Sequence, residues 1–153
     1  MAIVLDRTFD VEADPETTWD FLTDPDRVFP CLPSARVVEK LDDRTFVGKI
    51  GFSLGPFGAE FRGKIEFERL EPDEHRVHMT GEAEDTRRDA RATLDMTSRL
   101  TRRAGGGTRV DVSQRVALSG SLAGMAGGAL ARNTADMVFG RFVRCVQEKL
   151  GGG

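Results

Sequence analysis

Chemistry in this chain of 153 residues could reside in two histidines, two cysteines and a few polar residues set among apolar ones. His75 follows the turn-like run Glu71-Pro72-Asp73-Glu74. His78 lies between Val77 and Met79, and strand alternation sends it to the face opposite theirs. A general base must reach the proton it removes, and both histidines are expected in solvent. Gln114, flanked at two-residue spacing by Val112 and Val116, and Ser98, flanked by Met96 and Leu100, are the polar exceptions on an otherwise apolar face. An amide and a hydroxyl can orient a ligand, but neither is a base at neutral pH. Cys31 and Cys145 stand far apart, in no CxxC or Cys/His spacing. They are expected to be two buried thiols in a reducing compartment, forming neither a metal site nor a disulfide framework. No Ser–His–Asp set, metal-ligand cluster or pair of inward carboxylates emerges. The expected chemistry is therefore recognition rather than reaction.

The elements that position these residues follow from the alternation. From Thr45 to Ser119 an apolar set recurs with period two. It begins with Phe46, Ile50, Phe52, Leu54, Phe61, Ile65 and Phe67. It continues through Val77, Met79, Leu94, Met96 and Leu100 to Val110, Val112, Val116 and Leu118. The opposite set includes Lys49, Arg62, Glu66, Glu82, Arg91, Asp95, Arg109 and Arg115. Successive strand side chains point to opposite faces, so this predicts an antiparallel sheet wet on one side and apolar on the other. The apolar side must be covered.

Ile3–Val11 reads as a first strand. Asp14-Pro15-Glu16 then predicts a helix carrying Trp19 and Leu22, with Asp14 as cap and Pro15 in the first turn. Asp24-Pro25 repeats the signal for a second short helix, stopped by Pro30 and Pro33. Six strands follow, about 35–41, 45–54, 59–70, 76–84, 88–102 and 108–119, separated by turns such as Gly55-Pro56-Phe57-Gly58 and Gly105-Gly106-Gly107. Leu122–Leu150 predicts a last helix of roughly eight turns. With no repeat and no linker, residues 1–153 read as a single domain.

The buried stripe of that helix runs back from Val146, Cys145, Phe142 and Val138 to Ala135, Ala131, Gly128 and Gly124. Gly124, Gly127 and Gly128 each cost a helix about 1 kcal/mol relative to Ala, so helix propensity does not explain them. Gly48, Gly63 and Gly81 stand at inward positions of the sheet. Small residues on both walls predict space for a guest between helix and sheet.

Hydrophobic content of 39%, charged content of 31% and a net charge of −3 with interleaved signs argue against a nucleic-acid partner. Neither a signal-type apolar region nor a run of ~20 apolar residues is present, so the expected protein is soluble and cytoplasmic, with at most peripheral membrane contact.

The order strand, paired helices, six strands, long helix resembles the helix-grip fold of the START and Bet v 1-like (SRPBCC) superfamily. Within it, the chain resembles the carbon monoxide dehydrogenase CoxG family. The resemblance rests on Phe9-Asp10-Val11 with Asp14-Pro15-Glu16 and Trp19, Leu22-Thr23-Asp24-Pro25, and Cys31-Leu32-Pro33-Ser34-Ala35. It extends through Gly48, Leu54-Gly55-Pro56, Phe61, Gly63, Gly105-Gly106-Gly107-Thr108 and Leu118-Ser119-Gly120-Ser121-Leu122-Ala123. Ser34 departs from it, standing where the family usually has Gly. The resemblance implies an α+β fold: a seven-stranded curved antiparallel sheet wrapped around a long C-terminal helix, with two short helices between strands 1 and 2. It also implies service to a molybdenum-containing CO dehydrogenase-type enzyme, as an accessory or maturation factor. Wall chemistry and family together suggest a hydrophobic small molecule, a quinone or lipid, as the bound partner, with no other cofactor and no metal. The residues expected to contact it are Phe29, Leu32, Ile50, Phe52, Leu54, Phe61 and Met79 from the first half of the chain. From the second half they are Leu94, Met96, Gln114, Val116, Leu118, Leu122, Met125 and Gly128. Two alternatives stand beside this reading. One is a polyketide cyclase or lyase-like enzyme on the same fold, which needs an inward acid such as Glu39, Glu84 or Asp95. The other is a protein-interaction subunit with a filled core.

Overall fold

The computed structural model describes residues 2–32, 34–54, 57–121 and 129–151, apart from the side chains at 52–54, 57 and 130. Strand β1 spans Ala2–Val11, helix α1 Pro15–Leu22 and helix α2 Pro25–Val28, followed by a 3-10 turn at Phe29–Cys31. Strands β2 (Arg36–Lys40), β3 (Thr45–Leu54), β4 (Phe57–Glu71), β5 (Arg76–Asp85), β6 (Ala90–Arg102) and β7 (Thr108–Gly120) precede helix α3, Ala129–Lys149. The expected strands are all present, with ends shifted by at most two residues. The terminal helix matches from Ala129 onward; residues 122–128, with Gly124, Gly127 and Gly128, lie outside the described residues.

All seven strands form one antiparallel sheet in the order β1-β7-β6-β5-β4-β3-β2. The hairpins keep the sequence order, and β1 returns to the edge beside β7 with Leu5 opposite Gln114. Register shifts at Val37/Glu39 and Phe67/Arg69 each place an extra residue on one strand, which bends it and raises the local twist. The β6–β7 turn needs its glycines: Gly106 and Gly107 take φ of 102° and 85°, and a Cβ on Gly107 would meet the Val11 carbonyl at 2.5 Å. Ser34, at φ 49°, occupies the same left-handed region without glycine's freedom.

Capping follows the expected chemistry. The Asp14 carboxylate accepts a hydrogen bond from the Thr17 backbone N–H at 2.7 Å, and that bond holds its pKa below the ordinary value. Asp24 caps α2 through the Asp26 N–H.

The C-terminal half of α3 is seated in the main core. Val146 (0% exposed) and Leu150 pack with Phe9, Val11, Phe21, Cys31, Leu100 and Val110. Phe9 meets Phe139 and Phe142 edge-on, at ring-centroid distances of 5.9 and 6.3 Å. Gln147 donates from Nε2 to the Asp10 carbonyl at 2.9 Å, and Arg7 pairs with Asp136.

The cysteines correct the sequence expectation. Cys31, at the end of the 3-10 turn, forms a disulfide with Cys145 on α3, with Cα atoms 5.4 Å apart. No local motif signals the pairing because 114 residues separate the two; only the fold brings them together. Closing a loop of that length stabilises by at most roughly 5 kcal/mol in the chain-entropy account, and measured values centre lower, near 2–4 kcal/mol. Reduction of the full chain is therefore expected to lower Tm by about 5–15 °C. The Cys31→Ser/Cys145→Ser variant should melt at that lower temperature with or without reductant. Equal melting of the oxidised and reduced wild type would show that the bond does not constrain the fold.

Candidate functional site

Every described member of the inward set faces a space enclosed by the sheet, α3 and the α1–α2 segment, about 390 Å3 in volume. That lies within the range of ordinary small-molecule sites, ~300–1,000 Å3. Its walls are apolar for a local reason in each element. Strand parity presents Ile50, Phe61, Met79, Leu94, Met96 and Val116 from the sheet. Helical spacing presents Ala131, Ala135, Val138 and Phe142 from α3, since residues three and four apart share a face. The two Pro-initiated helices and the turn after them supply Trp19, Leu22, Val28, Phe29 and Leu32.

The α3 stripe explains where the space lies. Val146 and Leu150 sit in the packed core, and Phe142 and Val138 form the boundary. Towards the N-terminus the stripe shrinks to Ala135 and the buried Ala131. Large residues fill one end of the sheet's concavity, whereas among the described residues small ones line the other end.

The expected ligand-contacting residues distribute as follows. Phe29, Leu32, Ile50, Phe61, Met79, Leu94, Met96, Gln114, Val116 and Leu118 all stand on the wall of this space. The side chains of Phe52 and Leu54, and residues Leu122, Met125 and Gly128, lie outside the described residues. Sequence reasoning missed the contribution of β1 through Leu5 and Phe9, and of Phe139 on α3. Alternation had marked β1 as a strand, but only its pairing with β7 turns it onto this wall.

The inward glycines need reinterpretation. A Cβ on Gly48 would lie 2.6 Å from the Phe29 ring, so that aromatic already occupies the opening. A Cβ on Gly63 would lie 2.0 Å from the Glu82 carbonyl oxygen, so glycine here permits close approach of β4 and β5. Neither glycine leaves room for a guest. At Gly81 the nearest side-chain atoms are ordinary contacts, Ile65 Cγ1 at 3.4 Å and Leu94 Cβ at 3.8 Å.

Among the described residues, the histidine and acids that an enzymatic reading would use stay off the apolar wall. His78 is on the wet face, Nε2 2.9 Å from Asp95 Oδ1. Glu84 is paired with Arg91 and exposed, and Glu39 is exposed on β2. The three acids on which an enzymatic reading depended are thus outside. Lys49 and Glu82, both of outward parity, are the charged residues among the described lining. Glu82 also borders a separate hollow of about 540 Å3 on the wet face, shared with Lys64, Glu66, Asp95 and Arg115. Acids and bases alternate there in open solvent, which suits water and ions better than an organic guest.

The polar wall residues are few. Thr23 Oγ1 donates to the Trp19 carbonyl at 2.7 Å, and Ser98 is buried beside Val77 and Val112. Gln114 is half-buried between Leu5 of β1 and Met96 of β6. Such a wall can hold an apolar body and orient it through one or two hydrogen bonds. Ala135→Phe is expected to fill part of the space. At ~25 cal/mol per Å2 the added ring contributes up to about 2 kcal/mol, raising the Tm of the isolated protein by several degrees. A fall in Tm would indicate overpacking, and so no vacancy beside Ala135.

Comparison with known proteins places this geometry in context. The CoxG family model, which describes a carbon monoxide dehydrogenase subunit, matches residues 8–151. A conserved protein from Geobacillus kaustophilus superposes with a TM-score of 0.84 at 13% identity, covering 97% of this chain and 95% of its own. The ZhuI aromatase/cyclase from Streptomyces sp. R1128 gives 0.67 at 10% identity, with 98% and 94% covered. A START superfamily protein from Mycobacterium smegmatis gives 0.62 at 10%, with 96% of each chain covered. At such identities the likeness shows the fold alone, and the fold is the helix-grip arrangement expected from the sequence. No curated protein matches the sequence.

Proposed function

Because the chain belongs to the carbon monoxide dehydrogenase CoxG family, we propose that it is a carrier for a lipophilic small molecule. The ligand, quinone- or lipid-like, sits between the sheet and α3, and the protein serves as an accessory or maturation factor of a molybdenum-containing dehydrogenase. The single observation that carries this reading is the apolar space of about 390 Å3, whose described lining holds two ionisable residues, both of outward parity. At ~30 Å3 per water-sized group it has room for about thirteen such groups. That accommodates a bicyclic head group or a short prenyl chain. Burying about 300 Å2 of ligand apolar surface contributes ~7–8 kcal/mol before the costs of association.

A quinone passed between a membrane and a redox enzyme fits both the wall chemistry and the family. No described helix is long and apolar enough to cross a membrane, and the reading expects a cytoplasmic protein with at most peripheral contact at the inner membrane face. In that setting the cellular thiol pool decides whether the Cys31–Cys145 bond persists.

Trp19 lines the space and is the single tryptophan of the chain, so its fluorescence reports occupancy directly. Titration of the full chain with a short-tailed naphthoquinone is expected to give a saturable quench. At one hundred times Kd, Tm should rise by about 5–10 °C, because a ligand that binds the native state stabilises it. A linear, non-saturating quench with an unchanged Tm contradicts the carrier reading.

A further inference from the structure

We propose that Gln114 is the polar anchor of this space and selects a neutral ligand carrying a carbonyl or hydroxyl oxygen on an otherwise apolar body. The inference rests on the carrier reading and adds to it the chemistry of the recognised end.

The strand registers put Gln114 well inside the sheet, opposite Leu5 on β1 and Met96 on β6, with Val112 and Val116 on its own strand. All four neighbours line the same space. Among the described residues no side chain or backbone group forms a hydrogen bond with its carboxamide. The amide of this half-buried Gln faces the space amid aliphatic neighbours, and a guest that displaces water from it must supply a polar partner or leave it unpaired. A Met or Leu of similar size would fill the position as well, so packing does not account for an amide here.

The second free polar group is close by. Ser98 is buried on β6, opposite Val112, and is therefore a diagonal neighbour of Gln114, about 7–8 Å away across the strands. Its hydroxyl likewise has no hydrogen bond among the described residues. Of the other polar wall groups, Thr23 bonds the Trp19 carbonyl, Thr134 has a partner, and Thr93 has the outward parity of β6. The amide and the hydroxyl together offer donors and acceptors at one place on the sheet. They offer no positive charge, and the one cation of the described lining, Lys49, belongs to the outward parity of β3. A carboxylate brought to Gln114 would be desolvated without a counter-ion. A hydrocarbon would leave the amide unpaired. A ketone, quinone or alcohol satisfies it.

The test compares three probes of equal chain length on the full protein at pH 8, read by Trp19 fluorescence: farnesol, farnesoic acid and the hydrocarbon farnesene. Wild type should bind farnesol about 5–20-fold more tightly than either of the others. Gln114→Met should remove most of that preference by weakening farnesol alone, and the ligand-free variant should melt at or above the wild-type temperature. Gln114→Leu should behave in the same way. A variant that fails to fold, or that melts lower and weakens all three probes alike, makes the amide a structural group and overturns the anchor. An unchanged farnesol-to-farnesene ratio overturns it too, while leaving the carrier reading intact. Wild type that binds none of the three overturns the carrier reading, and the anchor with it.

Discussion

A helix about 10–12 Å across cannot cover the apolar face of a seven-stranded sheet, whose outer strands lie roughly 29 Å apart along the flat surface. Every other feature of this protein answers that mismatch. Bulges at Val37/Glu39 and Phe67/Arg69 bend their strands and add twist. The α1–α2 segment and the turn at Phe29–Cys31 cover a second part of the face, packing Phe29 against Phe46 and Phe67. What neither helix nor segment covers is enclosed rather than filled. The helix is tied at its C-terminal half by Val146, the Gln147–Asp10 hydrogen bond and the Cys31–Cys145 disulfide. Its alanine turns lie over the remainder, and a large apolar residue there would close the gap.

The division of labour between the two ends of α3 follows from side-chain volume. Where the stripe reaches Val146, with Leu150 just beyond the helix, packing is complete and the element resists displacement. Where it reads Ala131, Ala135, the wall contributes little volume of its own. Stability and capacity thus come from different turns of one helix. A protein built this way can carry an internal apolar space because Val11, Phe21 and Val146 pack in a core off its wall, joined to it through Phe9 and Val110, which belong to both.

Much of this was legible in the sequence, and the limits were physical. Period-two alternation is a local property, so the inward face was readable residue by residue, from Phe46 to Leu118. The Pro-capped helices and the Gly105–Gly107 turn announce themselves in the same local way. The Cys31–Cys145 bond was not readable, because its partners meet only after the last helix docks. The inward glycines misled for a related reason. A missing side chain can leave space or admit a neighbour, and only coordinates show Phe29 in front of Gly48 and strand β5 against Gly63. The place of β1 in the wall depended on a pairing between the two ends of the chain. Ser34 shows the converse, a departure visible in the sequence whose meaning, a left-handed backbone, came with the structure.

Native mass spectrometry of the full chain, purified without detergent and incubated with a short-tailed naphthoquinone, tests the central claim most directly. An apolar vacancy between sheet and helix predicts a one-to-one adduct on the wild type that survives gentle desolvation, disappears on denaturation and is absent from Ala135→Phe. A bare-chain mass for the wild type at saturating ligand, or an adduct equally abundant on the filled variant, would contradict it.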